Sequence, residues 1–278
     1  MQPIPEPSRE PIAERAQSLP GIGYGIWTMI KMQLLPVLVI LPFAIAGGVT
    51  GNKHWVRHPL VALLGLLFAG GCIIWGYCRR NSLNFNELGG PLTLLPGLLL
   101  AMATAVVGLL MIEVPTGLWL LDRFPFLEPK LDFDVTPSPW AAFLMIVVAV
   151  PLTEEFIFRG ILLRSLASRY GRSGAILVSA IFFSLAHIYP VKLLGMLAAG
   201  MLLGWAAARV GSVWPGVWAH GFNNGIAFAA MIFGEEMAPR VALQQPGWWP
   251  TALVLSGAIM LSLGIYAARR ATPLHGSR

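Results

Sequence analysis

The sequence predicts an all-α protein, a polytopic membrane bundle of about eight transmembrane helices. Of its 278 residues, 56% are hydrophobic and only 12% are charged, whereas soluble domains carry about 25% charged residues. Eight stretches of 16 to 28 residues contain no Asp, Glu, Lys or Arg. Because a helix needs about 20 apolar residues to cross a bilayer, each stretch is a candidate span. The composition therefore excludes a soluble domain with a single anchor.

The candidate spans are joined by short charged connections. They lie near residues 32–51, 59–78, 93–112, 139–158, 173–190, 192–208, 213–233 and 250–268. Strict alternation brings most arginine-rich ends to one side, and Lys and Arg accumulate on the cytoplasmic side of a membrane. Lys53, Arg57 and Lys192 fall on the other side, so the bias is clear but incomplete. Both termini are expected in the cytoplasm, and the Gly- and Ala-rich composition favours a bacterial cytoplasmic membrane.

The chain divides into four predicted parts. Residues 1–23 form a polar N-terminal arm, and residues 24–138 form N-terminal transmembrane helices. Residues 139–235 are core helices with polar residues inside apolar spans, and residues 236–278 hold a loop, the last transmembrane helix and a basic tail. The formal charge of +6 is scattered over helix ends without a basic patch. The expected environment is therefore the lipid bilayer, and no nucleic-acid partner is expected.

A glutamate pair lies inside one apolar stretch, in the segment Pro151-Leu-Thr-Glu154-Glu155-Phe-Ile-Phe-Arg159. An acid at the centre of a transmembrane helix costs roughly 2.5 to 3.5 kcal/mol, so such a cluster indicates a functional site. Glu155 and Arg159 are spaced i,i+4 and can pair on one helix face, while Glu154 is turned by about 100° to another face. Pro151 frees a backbone carbonyl, which protein or cavity water must satisfy.

The depth of this pair in the membrane is a further prediction. On the candidate span 139–158, Glu154 would lie near the cytoplasmic end, whereas His187 lies toward the opposite side. If the helix continues to about Arg169, its midpoint meets the other polar residues at mid-membrane depth. We therefore expect the helix to extend beyond the candidate span.

Three further polar groups interrupt apolar helices. His187 ends the run that starts at Ile181, and His220 and Asn224 are spaced i,i+4 with Asn223 on almost the same face. Each residue alone is explained by hydrogen bonding between helices. Together, a carboxylate, two imidazoles and an amide are the components of a hydrolytic site, which needs a base to activate water and donors for an oxyanion.

These residues resemble the motifs of the CPBP family, also called the Abi or type II CAAX prenyl endopeptidase family. The family motifs are Glu-Glu-x-x-x-Arg, Phe-x-x-x-His and His-x-x-x-Asn/Asp. They stand here, in the family's order, as Glu154-Glu155-xxx-Arg159, Phe183-xxx-His187 and His220-xxx-Asn224. The resemblance covers residues 139–235, which makes them the expected catalytic core, and residues 1–138 match nothing beyond extra helices.

The resemblance implies an intramembrane protease of about eight helices. In that interpretation Glu154 activates the water and His187 positions it, while His220 and Asn224 stabilise the tetrahedral oxyanion. Glu155 and Arg159 would hold the geometry of the site. The chemistry is consistent, because an amide and an imidazole N–H can both donate to an oxyanion.

A metal site is one of two interpretations of the same residues. Glu154, His187 and His220 can ligate Zn²⁺ or another divalent metal and leave a position for water, and members of the family are often described as metalloproteases. The chain contains no HExxH motif, so the usual zinc-protease spacing is absent. The other interpretation, which we favour, is a mechanism in which a glutamate acts without a metal.

Two classes of function remain from the sequence. A protease would act on a peptide or membrane-protein substrate, and the family also includes enzymes for prenylated CAAX tails. The alternative is a non-enzymatic transporter or scaffold, in which the Glu, His and Arg residues form a proton path or an ion-pair network. Transporters often contain paired inverted repeats, and none is evident in this sequence.

Overall fold

A computed structural model describes residues 21–51, 54–127, 135–187, 190–237 and 249–272. Every regular element in these residues is helical, as the sequence predicts. Short 3₁₀ turns lie at Pro125–Leu127 and Pro190–Lys192. The longer elements are α1 Ile22–Thr50, α2 His54–Arg57, α3 Pro59–Asn81, α4 Phe85–Gly89, α5 Pro96–Arg123, α6 Pro139–Ala186, α7 Leu193–Val210, α8 Trp214–Met237 and α9 Trp249–Ala271.

Helix α6 is too long to cross a membrane once. Its 48 residues would extend about 72 Å at 1.5 Å per residue, more than twice a hydrocarbon core of about 30 Å. Gly171 breaks it with φ 68° and ψ 173°, a conformation that essentially only glycine adopts. Gly171 thus divides α6 into a first arm, residues 139–170, and a second arm, residues 172–186. The hydroxyl of Ser179 donates to the carbonyl of Phe158, so the second arm folds back against the first.

Six stretches are long and apolar enough to span a membrane, and α6 is one of them. Counting the two arms of α6 separately and adding the 24-residue helix α8 gives eight long helices in the described residues. The predicted polytopic bundle of about eight helices is therefore confirmed. The first arm runs from Pro139 to just before Gly171, so Glu154 lies near its middle, as the expected extension toward Arg169 requires.

The first arm of α6 is not a regular α-helix. Leu144–Ala149 and Phe156–Leu163 are π-helical, and they flank the α-helical turn Val150–Glu155 that carries both glutamates. The N–H of Val150 donates to the carbonyl of Met145, five residues earlier. The next bond in this register would need an N–H at Pro151, which has none. The glutamates are thus placed on a short turn between two wider ones, an arrangement that is frequent at functional sites.

Aromatic packing fixes this arm against its neighbours. Phe156 stacks on Phe85 near the start of α4, with ring centroids 4.1 Å apart, and meets Trp214 edge to face. Phe158 meets Phe183 of the second arm edge to face at 5.3 Å. Phe156, Phe158 and Phe183 are fully buried. Two helix arms and the start of α8 are therefore held in one rigid core around the glutamate pair.

Helices α5 and α9 approach each other through small residues. A Cβ added at Gly264 would lie 2.5 Å from the backbone nitrogen of Ala105, and one at Gly257 would lie 2.6 Å from the carbonyl oxygen of Gly108. Backbones this close are typical of membrane helices that associate by packing. The last helix is therefore docked on α5, which also contributes Val106 and Leu109 to the lining of a cavity in the bundle.

The first helix begins earlier than predicted. Helix α1 starts at Ile22, ten residues before the candidate span 32–51, because that span was bounded by the charge of Lys31. The ammonium of Lys31 lies 5.7 Å from the ring of Trp27 in the same helix, an arrangement that lets a lysine extend from an apolar helix toward the membrane surface. Most of the predicted arm 1–23 and most of the predicted tail lie outside the described residues.

Candidate active site

A cavity of about 410 Å³ lies between α5, α6, α7 and α8. Pockets of roughly 300 to 1,000 Å³ are typical of small-ligand sites. One wall is apolar, with side chains such as Val106, Leu109, Met145, Met196 and Leu203. The polar lining residues are Glu154, His187, Lys192, His220, Asn223 and Asn224. Four of the six predicted catalytic residues thus line one cavity.

Glu154 faces two imidazole rings across the cavity. Its Oε2 lies 3.8 Å from Nε2 of His187 and 3.9 Å from Nε2 of His220. Its side chain is 12% exposed, and among the described residues Oε2 has no direct hydrogen-bond partner. The two distances exceed those of direct hydrogen bonds, but one water molecule can bond to the carboxylate and to a ring at this spacing.

Glu155 and Arg159 do not line this cavity and form a layer behind it. Both side chains are almost fully buried, and Nη1 of Arg159 donates to Oε1 of Glu155 at 2.7 Å. The same Oε1 lies 3.1 Å from Nδ1 of His220. The predicted i,i+4 pair is present and also reaches the histidine of α8. A buried ion pair survives desolvation only with such geometry and additional hydrogen bonds.

Arg159 connects the two arms of α6 with α7. Its Nη2 donates to the carbonyl of Gly200 in α7 at 3.2 Å, and its guanidinium lies 4.5 Å from the centroid of the Phe183 ring. Arginine over an aromatic face is an attractive arrangement in a desolvated setting. Phe183 is the first residue of the motif that ends in His187, so this arginine links the first and second motifs directly.

Hydrogen bonding assigns the protons of both histidines. Nδ1 of His187 lies 2.8 Å from the carbonyl oxygen of Phe183, and Nδ1 of His220 faces the carboxylate of Glu155. A carbonyl and a carboxylate only accept hydrogen bonds, so Nδ1 is the donor in each ring. In a neutral ring Nε2 is then an acceptor, and in both rings Nε2 is the nitrogen that faces Glu154.

The two asparagines of α8 both line the cavity. Nδ2 of Asn224 donates to the carbonyl of Ile146 at 2.9 Å, and Nδ2 of Asn223 donates to Oδ1 of Asn224 at 3.3 Å. Ile146 is the residue whose carbonyl would bond to residue 151 in the π-helical register, where Pro151 has no N–H. Of the two partners that the sequence allows for a carbonyl freed by Pro151, protein or cavity water, the structure shows a protein side chain, Asn224.

Backbone atoms and glycines of the site escaped the sequence analysis. A Cβ added at Gly216 would lie 2.6 Å from Oε2 of Glu155, so only glycine leaves room for this carboxylate. The carbonyls of Ile146, Phe183 and Gly200 accept the three bonds that orient Asn224, His187 and Arg159. No sequence pattern shows which carbonyl will accept a side-chain bond. Gly216, by contrast, follows a proline near the start of the helix that carries His220, and this could have drawn attention to it.

The geometry does not support the predicted metal site. Tetrahedral zinc ligands at about 2.0–2.2 Å from the ion lie roughly 3.4 Å from one another, closer than the 3.8 Å and 3.9 Å that separate Glu154 from His187 and His220. No group of three His, Cys, Asp or Glu side chains that could hold a metal ion occurs in the described part of the chain. We therefore assign no step to a metal.

The fold and the cavity define an integral membrane protein with a buried carboxylate–imidazole site. A family model described as type II CAAX prenyl endopeptidase Rce1-like matches residues 136–226, a segment that holds all three motifs. The resemblance drawn from those motifs is confirmed: this segment is similar to the Rce1-like type II CAAX prenyl endopeptidase domain, a family that implies a peptide or protein substrate. Searches of curated proteins and of solved structures gave no match.

Proposed function

We propose that the protein is an intramembrane endopeptidase that hydrolyses a peptide bond with water activated by Glu154. The observation that carries this proposal is the convergence of Oε2 of Glu154 and Nε2 of His187 and His220 on one cavity, at 3.8 Å and 3.9 Å. A carboxylate and two oriented rings around a space large enough for a peptide segment suit a general base and its positioning partners.

Glu154 and His187 act on the water. Because Nδ1 of His187 donates to the carbonyl of Phe183, its neutral Nε2 accepts a hydrogen bond from one O–H of the water and orients it, and that proton stays on the oxygen. The second water proton passes to Oε2 of Glu154 while the water oxygen bonds to the peptide carbonyl carbon. When the C–N bond breaks, Glu154 returns this proton to the leaving amine, so the enzyme ends each cycle in its starting state.

Asn224 and His220 act on the oxyanion. One N–H of the Asn224 amide is used by the carbonyl of Ile146, which fixes the amide and leaves its second N–H for the substrate. His220 donates through Nδ1 to Glu155, so donation from Nε2 requires a second ring proton. The role of Glu155 is therefore to stabilise the imidazolium form of His220 while Arg159 holds Glu155 in place.

The apolar residues of the cavity lining indicate the substrate class. Val106 and Leu109 of α5 and Met196 of α7 are among them, which favours a peptide segment with apolar residues next to the cleaved bond. Together with a bacterial cytoplasmic membrane, we propose a peptide or membrane-protein precursor as substrate, and a prenylated CAAX tail as the family alternative. Helix α5, from the predicted N-terminal helices, contributes to substrate binding.

The experiment compares membranes of cells that express the wild type, Glu154→Gln or Glu113→Gln at equal folded levels. Glu113 is a second glutamate within a candidate span, in α5, and does not line the cavity. Mass spectrometry of protein termini should find termini that occur with the wild type and Glu113→Gln but disappear with Glu154→Gln. Wild-type termini that persist with Glu154→Gln would refute this carboxylate as the base.

A transporter or scaffold is the second candidate, because the buried network of Glu155, Arg159 and His220 would also suit a proton path or an interhelical tie. Asn224 distinguishes the two functions. Its replacement by Ala removes an oxyanion donor from a protease but has little effect on proton transfer. A variant Asn224→Ala with unimpaired function of any measurable kind would favour the second candidate.

A further inference from the structure

A second cavity, of about 310 Å³, is lined by three arginines, Arg159, Arg164 and Arg172, and its other described lining residues differ from those of the active-site cavity. Its remaining walls are small or apolar side chains of α6 and α7 and the turn into α8. We propose that this cavity binds a phosphate-type anion, with the headgroup of an anionic membrane lipid as its source.

The arginines of this cavity lack matching negative charge. Nη1 of Arg164 donates to the carbonyl of Glu87 at 2.8 Å, and Nη2 reaches the carbonyl of Gly211 at 3.4 Å, so its two partners are neutral. Within the described residues Arg172 has no hydrogen-bond or ion-pair partner, and Nε of the buried Arg159 has none either. The one carboxylate paired with these three cations is Glu155.

An anion resolves this imbalance. Guanidinium groups that share a cavity repel each other, and in a partly desolvated space the repulsion is stronger than in water. A phosphate group accepts two parallel N–H bonds from an arginine and fits the planar fork of the guanidinium better than a single lysine charge would. Among the described residues that line this cavity there is no Asp or Glu, so the lining offers these guanidinium groups no carboxylate, and an anionic ligand could supply the missing charge.

The place of the cavity in the bundle favours a lipid as the source. Arg172 follows the reversal at Gly171, and Gly211 ends α7 one turn before α8 begins. Helix ends meet here, and the ends of helices long enough to span a bilayer are expected at the level of the lipid headgroups. Juxtamembrane arginines are attracted to anionic headgroups of the cytoplasmic leaflet. The apolar remainder of the lining suits the glycerol and upper acyl region of such a lipid.

The experiment measures lipid retention and thermal stability, neither of which depends on proteolysis. Wild type, Arg172→Gln and Arg79→Gln are reconstituted in phosphatidylcholine with or without phosphatidylglycerol. Arg79 lies at the same side of the bundle over the ring of Trp75 and is not among the lining residues, so it controls for general surface charge. Lipid bound to each purified variant is counted by native mass spectrometry, and the melting temperature is recorded.

We expect phosphatidylglycerol to be retained by the wild type and by Arg79→Gln, and to raise their melting temperatures. Arg172→Gln should retain at least about tenfold less, the lower end of the range for loss of hydrogen bonds to a charged group, and clearly less than Arg79→Gln, which loses only general surface attraction. A second arm adds inorganic phosphate to protein in phosphatidylcholine. Phosphate could stabilise the wild type but not Arg172→Gln, while phosphatidylglycerol gives no advantage over phosphatidylcholine. That result would support the anion site but would show that its ligand is a soluble phosphate compound and not a lipid.

Two results would overturn the proposal. The first is equal retention and equal stabilisation of wild type and Arg172→Gln with both phosphatidylglycerol and phosphate. The second is an equal loss in Arg79→Gln and Arg172→Gln, because this would show attraction by general surface charge and no site. Arg172→Lys adds a chemical check: it keeps the charge but not the two-pronged bond, and its retention should fall between the wild type and Arg172→Gln.

Discussion

Two neighbouring glutamates of the same helix have opposite environments. Glu154 faces a cavity, and its Oε2 lies 3.8 Å and 3.9 Å from the two Nε2 atoms opposite. Glu155 is fully buried, and its Oε1 takes both Arg159 and His220 as partners at 2.7 Å and 3.1 Å. The turn of about 100° between consecutive helical residues is enough to place one carboxylate among potential reactants and the other inside a closed ionic layer.

The difference teaches how a membrane helix can carry a reactive carboxylate. The layer of Glu155 and Arg159 costs desolvation energy, which is offset by the bonds of Glu155 to Arg159 and His220 and of Arg159 to the carbonyl of Gly200. In return it fixes one histidine and three helices around Glu154. We therefore expect changes in the buried layer to act mainly on stability, and changes at the cavity wall to act mainly on rate.

Removal of the buried cation should have the largest effect on stability. Arg159→Met leaves Glu155 buried without its main partner, and breaking a buried pair in this way costs about 3–5 kcal/mol. Thermal unfolding in detergent measures the change. The matched control is Arg79→Met, an exposed arginine whose loss should change stability by no more than about 0.5 kcal/mol. A melting temperature of Arg159→Met equal to the wild type would contradict the structural role of the layer.

Removal of an oxyanion donor should affect rate more than stability. Asn224→Ala should reduce peptide cleavage by about 10²–10³-fold, the range for loss of one such donor. The bond to the carbonyl of Ile146 is also lost, so a modest fall in stability of about 1 kcal/mol is expected. Cleavage rate and melting temperature are recorded on the same preparations. A stability loss that accounts for the whole fall in cleavage would remove Asn224 from the chemistry.

Gly216→Ala should reduce both the stability of the protein and its rate of cleavage. The added Cβ would lie 2.6 Å from Oε2 of Glu155, and overpacking of this kind costs about 1–3 kcal/mol. Since Glu155 holds His220, cleavage should fall as well. Gly225→Ala in the same helix is the control, because its Cβ would come no closer than 3.8 Å to a neighbouring atom. Equal behaviour of the two variants would show that Glu155 can move without consequence.

A chelator should have the smallest effect. Because Glu154, His187 and His220 act in this mechanism through water and without a metal, EDTA should leave the cleavage rate unchanged. The measurement is the rate before and after exhaustive chelation, followed by addition of Zn²⁺. If chelation abolished activity and Zn²⁺ restored it, Glu154, His187 and His220 would be metal ligands, and Glu154 would not act as the base without a metal.

The helical bundle was largely predictable from the sequence, since charge-free runs mark spans directly. Charge-free runs alone leave a gap between spans 139–158 and 173–190, and the expected extension toward Arg169 fills it, because the helix continues to a single-residue reversal at Gly171. Three arginines near the hairpin tip hide this continuity, because hydropathy cannot distinguish a charged helix end from a loop. The start of α1 was missed for a similar reason at Lys31.

The side chains of the candidate site were predictable because helical spacing fixes which of them share a face. The i,i+4 pair Glu155–Arg159 and the common face of His220 and Asn224 follow from sequence separation alone. The link between Glu155 and His220 could not be predicted, since it depends on how α8 docks on α6. The same holds for the π-helical turns around Pro151, which depend on a partner from another helix.

The division of labour between Glu154 and Glu155 is tested most directly by Glu154→Gln and Glu155→Gln, measured side by side. Each variant in membranes is assayed for melting temperature and for the new protein termini found with the wild type. We predict that Glu154→Gln keeps the wild-type melting temperature and yields none of these termini, while Glu155→Gln melts markedly lower. A Glu154→Gln variant that still produces the wild-type termini, or that unfolds as readily as Glu155→Gln, would contradict this account.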